Sequence, residues 1–349
     1  MLNSTSTTIE YLENMISRGE DLLFIECIFK AISDRAKKIK RRTSTNKKLN
    51  ISIVSSSLGR GGAERQVVAC LDGLSKNKKI NEVKLYCFGA DNTGGAQETY
   101  IPEIKEIGVE MVEFGKLRDW NKGFDDEKES LIPWRDLLDL FPKRFLREIE
   151  PLYLHFKKEK PDIVHTWQDQ TNINAGLAAL MAGVPGIVMF ARSQRPDGKT
   201  MMHIRNRPYL KKAYKSIFEH PNVLLCHNSN SGAKSYSEWF DDEELEFPVI
   251  YNGTDFEGIE QASLNGSIEK TWNKFSIPNN ALIVGSVFRF VNEKQPYLWI
   301  DTLIKVCKEN PRVYGIIVGS GGLMNASQKY LKEKGMDDRI FFPGQTRMV

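Results

Sequence analysis

The sequence predicts an α/β protein built from two parallel-sheet domains, the second of them incomplete. Three observations carry this. From residue 49 onward, apolar strand-like runs alternate with helical stretches, the pattern of right-handed βαβ units. A glycine-rich turn follows a strand at two separate places. The alternation then restarts near residue 278, after a polar stretch at 255–276. A chain of 349 residues has room for roughly two domains, each able to bury its own core.

In order, Leu49–Ser56 reads as a buried strand, Gly59-Arg60-Gly61-Gly62 as a turn and Ala63–Leu74 as a helix. Val83–Phe88 is a second strand, Tyr100–Ile107 a helix and Val109–Phe114 a third strand. Residues 116–150 are aromatic and charged (Trp120, Trp134, Phe141, Phe145), contain Pro133 and Pro142, and read as an irregular or helical insertion over a cleft. A fourth strand starts at Pro161-Asp162-Ile163-Val164-His165, followed by an Ala-rich helix at Asn172–Ala182. Gly186–Phe190 and Val223–His227 are the fifth and sixth strands, with a helix near Tyr209–Phe218 between them. Val249–Tyr251 is a short strand running into Asn252-Gly253.

The second domain repeats the scheme: strand Ala281–Phe288, helix Gln295–Asn310, strand Val313–Val318, turn Gly319-Ser320-Gly321-Gly322, helix Met324–Lys334, strand Ile340–Phe342. It reaches only about 70 residues, short of a complete doubly wound domain. The expected organisation is an appendage at 1–48, a first domain at 49–260 and the start of a second at 278–349.

The hydrophobic content of 41% and charged content of 27% are those of a globular chain, which excludes wholesale disorder, collagen and a coiled-coil rod. The net charge of +4 is unevenly placed. Residues 1–48 hold ten Lys/Arg and six Asp/Glu, leaving 39 of each sign and a neutral body. A neutral body argues against nucleic acid as a partner. Five cysteines without a C-x-x-C pair fit neither a disulfide framework nor a zinc ribbon, and point to a cytoplasmic setting.

Within the appendage, Ile25, Ile28, Phe29, Ile32, Ala36 and Ile39 recur at helical spacing, ahead of the basic run Lys37-Lys38-Ile39-Lys40-Arg41-Arg42. Such a helix either packs its apolar face on the body or lies on an anionic membrane surface. Its longest apolar run, Leu22–Ile25, is far shorter than the ~20 residues that span a bilayer.

Each glycine-rich turn lets backbone approach a ligand at a helix N-terminus, where unpaired N–H groups favour an anion. Gly61-Gly62 lacks the third glycine of a dinucleotide fingerprint, and Asp91 lies further along than that fold requires. Arg289 and Lys294, on one strand-to-helix loop, are placed to face a single diphosphate, the one as a fork and the other as a point charge. No D-x-D, P-loop, H-x-x-x-H or G-x-S-x-G occurs, so a metal-dependent nucleotide-sugar site of that kind, a P-loop kinase, a zinc hydrolase and a nucleophile-elbow hydrolase all lack support.

Taken together, Gly61-Gly62-Ala63-Glu64-Arg65, Pro161–His165, Asn228-Ser229, Val249–Asp255, Gly285–Arg289 with Lys294, Val318–Gly321 and Ile340–Gly344 resemble, in order, the GT-B glycosyltransferases of the large retaining family labelled group 4. The resemblance covers residues 51–344 and implies two Rossmann-like domains with a sugar nucleotide held mainly by the second. Arg289 and Lys294, with Gly319 and Gly321, would hold the donor diphosphate. Gly61 and Gly62 would turn backbone N–H groups to the same phosphates or to the acceptor. His165 would sit at a strand end facing the cleft, and Arg192 stands where many relatives carry a histidine that touches the donor sugar; these two are the catalytic candidates. The nucleotide sugar is a co-substrate, and no cofactor or metal is implied. The acceptor would be a glycan or lipid-linked glycan of surface polysaccharide synthesis, the transfer retaining, and the place of action the cytoplasm or the inner membrane face. The family's E-x7-E helix would follow the strand near Phe342, beyond the end of this chain. Two other readings share the architecture: a sugar-nucleotide epimerase of GT-B shape, and a truncated, inactive binding module.

Overall fold

The computed structural model describes residues 22–42, 48–59, 61–89, 99–114, 125–197, 207, 209–254 and 275–345. The acidic stretch before residue 22, Asp91, the first part of the 116–150 segment with Trp120, and the polar stretch 255–274 lie outside the described residues. The chain divides into two compact units, Met1–Gly253 and Thr254–Val349.

In the first unit, helix α1 (Leu22–Ala36) precedes strand β1 (Leu49–Ser57), helix α2 (Gly62–Ser75), strand β2 (Ile80–Gly89), helix α3 (Ile101–Ile107) and strand β3 (Glu110–Glu113). Short helices α4 (Asp125–Glu129) and α5 (Arg135–Leu138) lead to the long α6 (Lys143–Glu159). Strand β4 (Ile163–Trp167), α7 (Asp169–Ala182), β5 (Gly186–Ala191), α8 (Leu210–Phe218), β6 (Val223–His227) and α9 (Asn230–Trp239) complete it. All pairings are parallel, in the order β3-β2-β1-β4-β5-β6. Successive residues of β1, Ile51–Ser55, are buried, and β5 is an unbroken apolar run, as burial on both faces of a doubly wound sheet imposes. Val249, expected in a short strand, makes an isolated parallel bridge to His227.

The N-terminal helix belongs to this core. Ile25, Ile28, Phe29, Ile32 and Ala36 are all buried, and α1 packs on α7 and α8. Burying each large apolar side chain contributes about 2 kcal/mol. Polar contacts fix its register: Arg35 forks onto Asp136 at 2.6 and 2.7 Å, and buried Ser33 Oγ lies 2.7 Å from His220 Nε2. Of the two readings of this helix, the structure displays packing on the body. The described part of the 116–150 segment packs there as well. Leu131, Trp134, Leu138, Phe141 and Phe145 are buried in the same core cluster as α1. The family-like Pro161-Asp162 is structural in its contacts: buried Asp162 accepts from Asn50 N at 2.8 Å and pairs with Arg42 at 3.2 Å. These contacts lie at the amino ends of β1 and β4.

The second unit contains β7 (Leu282–Val287), α10 (Pro296–Glu309), β8 (Val313–Val318), α11 (Met324–Glu333) and β9 (Ile340–Gly344). Its three strands pair in parallel in the order β7-β8-β9, over a core of Phe290, Ile300, Leu303, Ile304, Val313, Ile317, Leu331 and Ile340.

Candidate functional site

In the first sheet the strand order reverses between β1 and β4, and the carboxyl ends of the strands at such a switch point are where open α/β sheets bind ligands. The chain puts polar side chains there. Ser56 Oγ donates to Gln168 Oε1 at 2.9 Å, and Gln168 Nε2 donates to Glu64 Oε1 at 3.3 Å. Ser57 Oγ donates to the same carboxylate oxygen at 3.2 Å. Gln168 holds φ +72°, a strained value for a side-chain-bearing residue, at the turn into α7. Behind that turn lies a buried network. Tyr214 Oη donates to Asp169 Oδ1 at 2.8 Å, Tyr236 Oη donates to the same atom, and Asn172 Nδ2 donates to Tyr214 Oη at 2.8 Å. Burial raises the Asp169 carboxyl above its ordinary pKa.

Gly61 caps α2 in extended geometry, and its N–H donates to Gly59 O at 2.9 Å. A Cβ on Gly61 would lie 2.0 Å from Glu64 Oε2, so this glycine leaves room for a carboxylate. At Gly62 a Cβ would meet nothing within 4 Å.

The two catalytic candidates come together beside this cluster. Arg192 follows β5, with its guanidinium 5.0 Å over the Trp167 ring and 4.9 Å over the Phe190 ring. Such stacking favours a planar cation. One of its nitrogens donates to Asn252 Oδ1 at 2.8 Å. His165 is not at the strand end that sequence placed it at. It is the third residue of β4, in register with Ile53 and Val188, and its ring lies 5.0 Å from Trp167 and 5.9 Å from Phe190. Burial, helped by the Arg192 charge, lowers its pKa from 6.5 to about 4, so the imidazole is neutral near pH 7. Gln66 ties the Asn252-Gly253 segment to α2 through paired bonds with Gly253, 2.8 Å to its O and 2.9 Å from its N.

Glu64, Gln168, Gln66 and Asn252 were not singled out by sequence reasoning. Glu64 alone carried a local signal, since an acidic residue three places after a helix-capping residue has the capping-box spacing.

In the second unit, the glycine turn and the cationic loop turn out to be one construction. Phe290 N donates to Ser320 O at 2.9 Å, and Leu323 N to Phe290 O at 2.9 Å. A Cβ on Gly319 would lie 1.9 Å from Phe288 O, and one on Gly321 2.6 Å from Phe290 O. Both glycines also hold positive φ, +148° and +152°. They seat the backbone that carries Arg289, whose side chain is exposed, as is that of Lys294.

Among the described residues no three His, Cys, Asp or Glu side chains gather into a group that would hold a metal ion. Among them, too, no helix is long and apolar enough to cross a membrane.

A parallel doubly wound sheet with a polar switch point, joined in sequence to a second parallel sheet with a glycine-seated cationic loop, defines a class of two-sheet, Rossmann-like α/β proteins. No family model matches the chain. It is 28% identical over 310 residues to the Vi polysaccharide biosynthesis protein VipC/TviE of Salmonella typhi, covering 86% of this chain and 52% of that protein. It is 27% identical over 206 residues to an Escherichia coli UDP-Gal:alpha-D-GlcNAc-diphosphoundecaprenol alpha-1,3-galactosyltransferase, covering 57% of this chain and 51% of the relative. The chain thus spans about half the length of these curated relatives. Among solved structures, Anabaena Alr3699/HepE in complex with UDP superposes with a TM-score of 0.60 at 16% identity, over 86% of this chain and 70% of that one. In fold the chain is similar to solved GT-B proteins, and in sequence to curated glycosyltransferases.

Proposed function

We propose that the whole protein transfers a sugar from a nucleoside-diphosphate sugar to a glycan or lipid-linked acceptor in surface polysaccharide or glycoconjugate synthesis. The observation that carries this reading is the second-unit loop: two exposed cations, with the backbone of Arg289 seated by Gly319 and Gly321. Fixed cations facing a departing diphosphate supply stabilisation that needs no metal ion. The named donor and acceptor of the Escherichia coli relative, a UDP-sugar and a lipid-linked diphosphate sugar, support the substrate classes. His165, neutral in the ring cluster, and Arg192 would orient the reacting sugars. Transfer would retain the anomeric configuration, the acceptor hydroxyl attacking from the face the diphosphate leaves.

The test is release of nucleoside diphosphate from a panel of uridine and guanosine sugar nucleotides in EDTA. Arg289→Ala with Lys294→Ala is expected to lower that release by at least about 10³-fold. Unchanged release would sink the diphosphate clamp, dependence on added metal would sink the metal-free reading, and interconversion without acceptor would identify an epimerase instead.

We place the protein in the cytoplasm, with contact to the inner membrane face through the basic run after α1, whose Lys38 and Lys40 are exposed. Lys38→Glu with Lys40→Glu should then weaken binding to vesicles containing anionic lipid, and unaltered binding would remove the idea.

A further inference from the structure

Two kinds of contact hold Arg192, and only one of them gives its fork a direction. Stacking over the Trp167 and Phe190 rings, at 5.0 and 4.9 Å, restrains the plane of the guanidinium but lets it slide and turn within that plane. The Glu64 charge attracts it as well, without orienting it. Its Nε is buried and finds no hydrogen-bond partner among the described residues. The 2.8 Å bond to Asn252 Oδ1 therefore sets which way the fork points.

Asn252 is itself exposed and lies in a segment without helix or strand, so its position is imposed by the backbone on either side. Before it, Ile250 N donates to His227 O at 2.8 Å, at the end of β6. After it, the Gln66 carboxamide closes on Gly253, donating to its carbonyl oxygen and accepting from its N–H. Between the two anchors the Tyr251 hydroxyl accepts from Asn230 Nδ2 at 3.1 Å, a contact made by the side chain alone. A carboxamide offers a donor and an acceptor side by side, which neither a carboxylate nor a thioether does. Gln66 is half-buried on the second turn of α2, and buried Val67 and Leu71 fix that helix on the sheet.

We propose that Gln66 is a positioning residue for Arg192: by clipping Gly253 to α2 it presents Asn252, and through Asn252 it sets the direction of the guanidinium beside the carboxyl ends of β4 and β5. That the aimed group acts on a sugar rests on the glycosyl-transfer reading, whereas the chain Gln66, Asn252, Arg192 does not.

NMR of the full chain tests the order of this chain, with the Arg192 Nε–H signal assigned by its loss in Arg192→Lys. Gln66→Met keeps the side-chain length and removes both bonds. It is expected to shift the Arg192 signal and to speed exchange of the Gly253 amide about tenfold. Gln66→Glu keeps the acceptor but sets a carboxylate against the Gly253 carbonyl, and should shift the Arg192 signal too. Asn252→Ala should shift that signal while leaving the Gly253 amide as protected as in the wild type. Gln66→Met with Asn252→Ala should move it no further than Asn252→Ala alone. An Arg192 signal at its wild-type position in both Gln66 variants overturns the proposal, and so do shifts that add in the double variant. In the transfer assay Gln66→Met should lower kcat about tenfold and change the donor KM less than about twofold. A rise in KM with kcat intact would overturn the positioning role. Absence of transfer by the wild type would remove the transferase reading, and the NMR outcome would still decide the clip.

Discussion

The two units both place a glycine-rich turn after a parallel strand, and they use it for opposite purposes. In the first, Gly61 makes room for a side chain, and a buried carboxylate moves in. In the second, Gly319 and Gly321 make room for backbone, and the loop bearing Arg289 docks on them. The first site is built around a buried carboxylate, internally paired and balanced in charge; the second is exposed and cationic. A glycine motif therefore announces only that something approaches closely. What approaches decides the chemistry, and it is a residue outside the motif or at its far end.

Acid should separate the two units most strongly. His155, His165, His220 and His227 all lie in the first unit, and burial lowers each of them from 6.5 to about 4. The second unit contains no histidine. Between these values the unfolded chain binds protons that the folded imidazoles refuse, so stability is lost as pH falls from about 6.5 toward 4. Glu148, Glu150 and Asp169, raised by burial, act in the opposite sense, because their protonated forms are the ones folding favours. With the imidazoles prevailing, calorimetry at pH 4.5 should show the first unit melting about 10 °C below its value at pH 7. The second unit should lack that imidazole-driven slope. A first-unit transition that does not move between these pH values would break the contrast.

The next largest effect is on packing. Phe29 is fully buried in α1, its ring 5.1 Å from Phe141 and 6.2 Å from Phe145. Phe29→Ala should destabilise the first unit by about 4 kcal/mol and leave the second-unit transition in place. A loss under about 1 kcal/mol would mean that α1 is not part of the core, since that is the scale of surface substitutions.

Most strands were legible from the sequence, because fully buried parallel strands read as apolar runs between turns. Val223–His227 and Val313–Val318 were bounded to the residue. Helix α6 was foreseen only in part, inside a segment read as irregular or helical that ended at residue 150, and not as a helix running on to Glu159. Pro142 caps it and Pro151 lies inside it, and proline in a helical pattern reads as a stop until tertiary packing overrides it. Helix α9 was also missed, although its N-cap, Ser229 Oγ accepting from Gly232 N at 3.1 Å, stands in a noted motif. In the site, cations and glycines carried local signals, so Arg289, Lys294, Gly319 and Gly321 were nameable. Gln168 and Gln66 were not, because their roles exist only through partners more than 100 residues away, which no local pattern records; Asn252 stood in the Val249–Asp255 motif, but its bond to Arg192 is read only from the fold.

The smallest effect is the most direct comparison of the two turns. Gly319→Ala puts a methyl group 1.9 Å from the Phe288 carbonyl oxygen at φ +148°, where neither the clash nor the backbone angle has a cheap escape. The expected loss is about 3 kcal/mol, confined to the second unit. Gly61→Ala meets only the end of the Glu64 side chain, and its φ of −134° suits alanine. Rotating that carboxylate away loses the Ser57 and Gln168 bonds, worth about 1 kcal/mol in the first unit. Urea melts that resolve the two units would measure both. Equal losses would show that the first turn, like the second, is closed by backbone, and the division of labour between the glycines would fail with it.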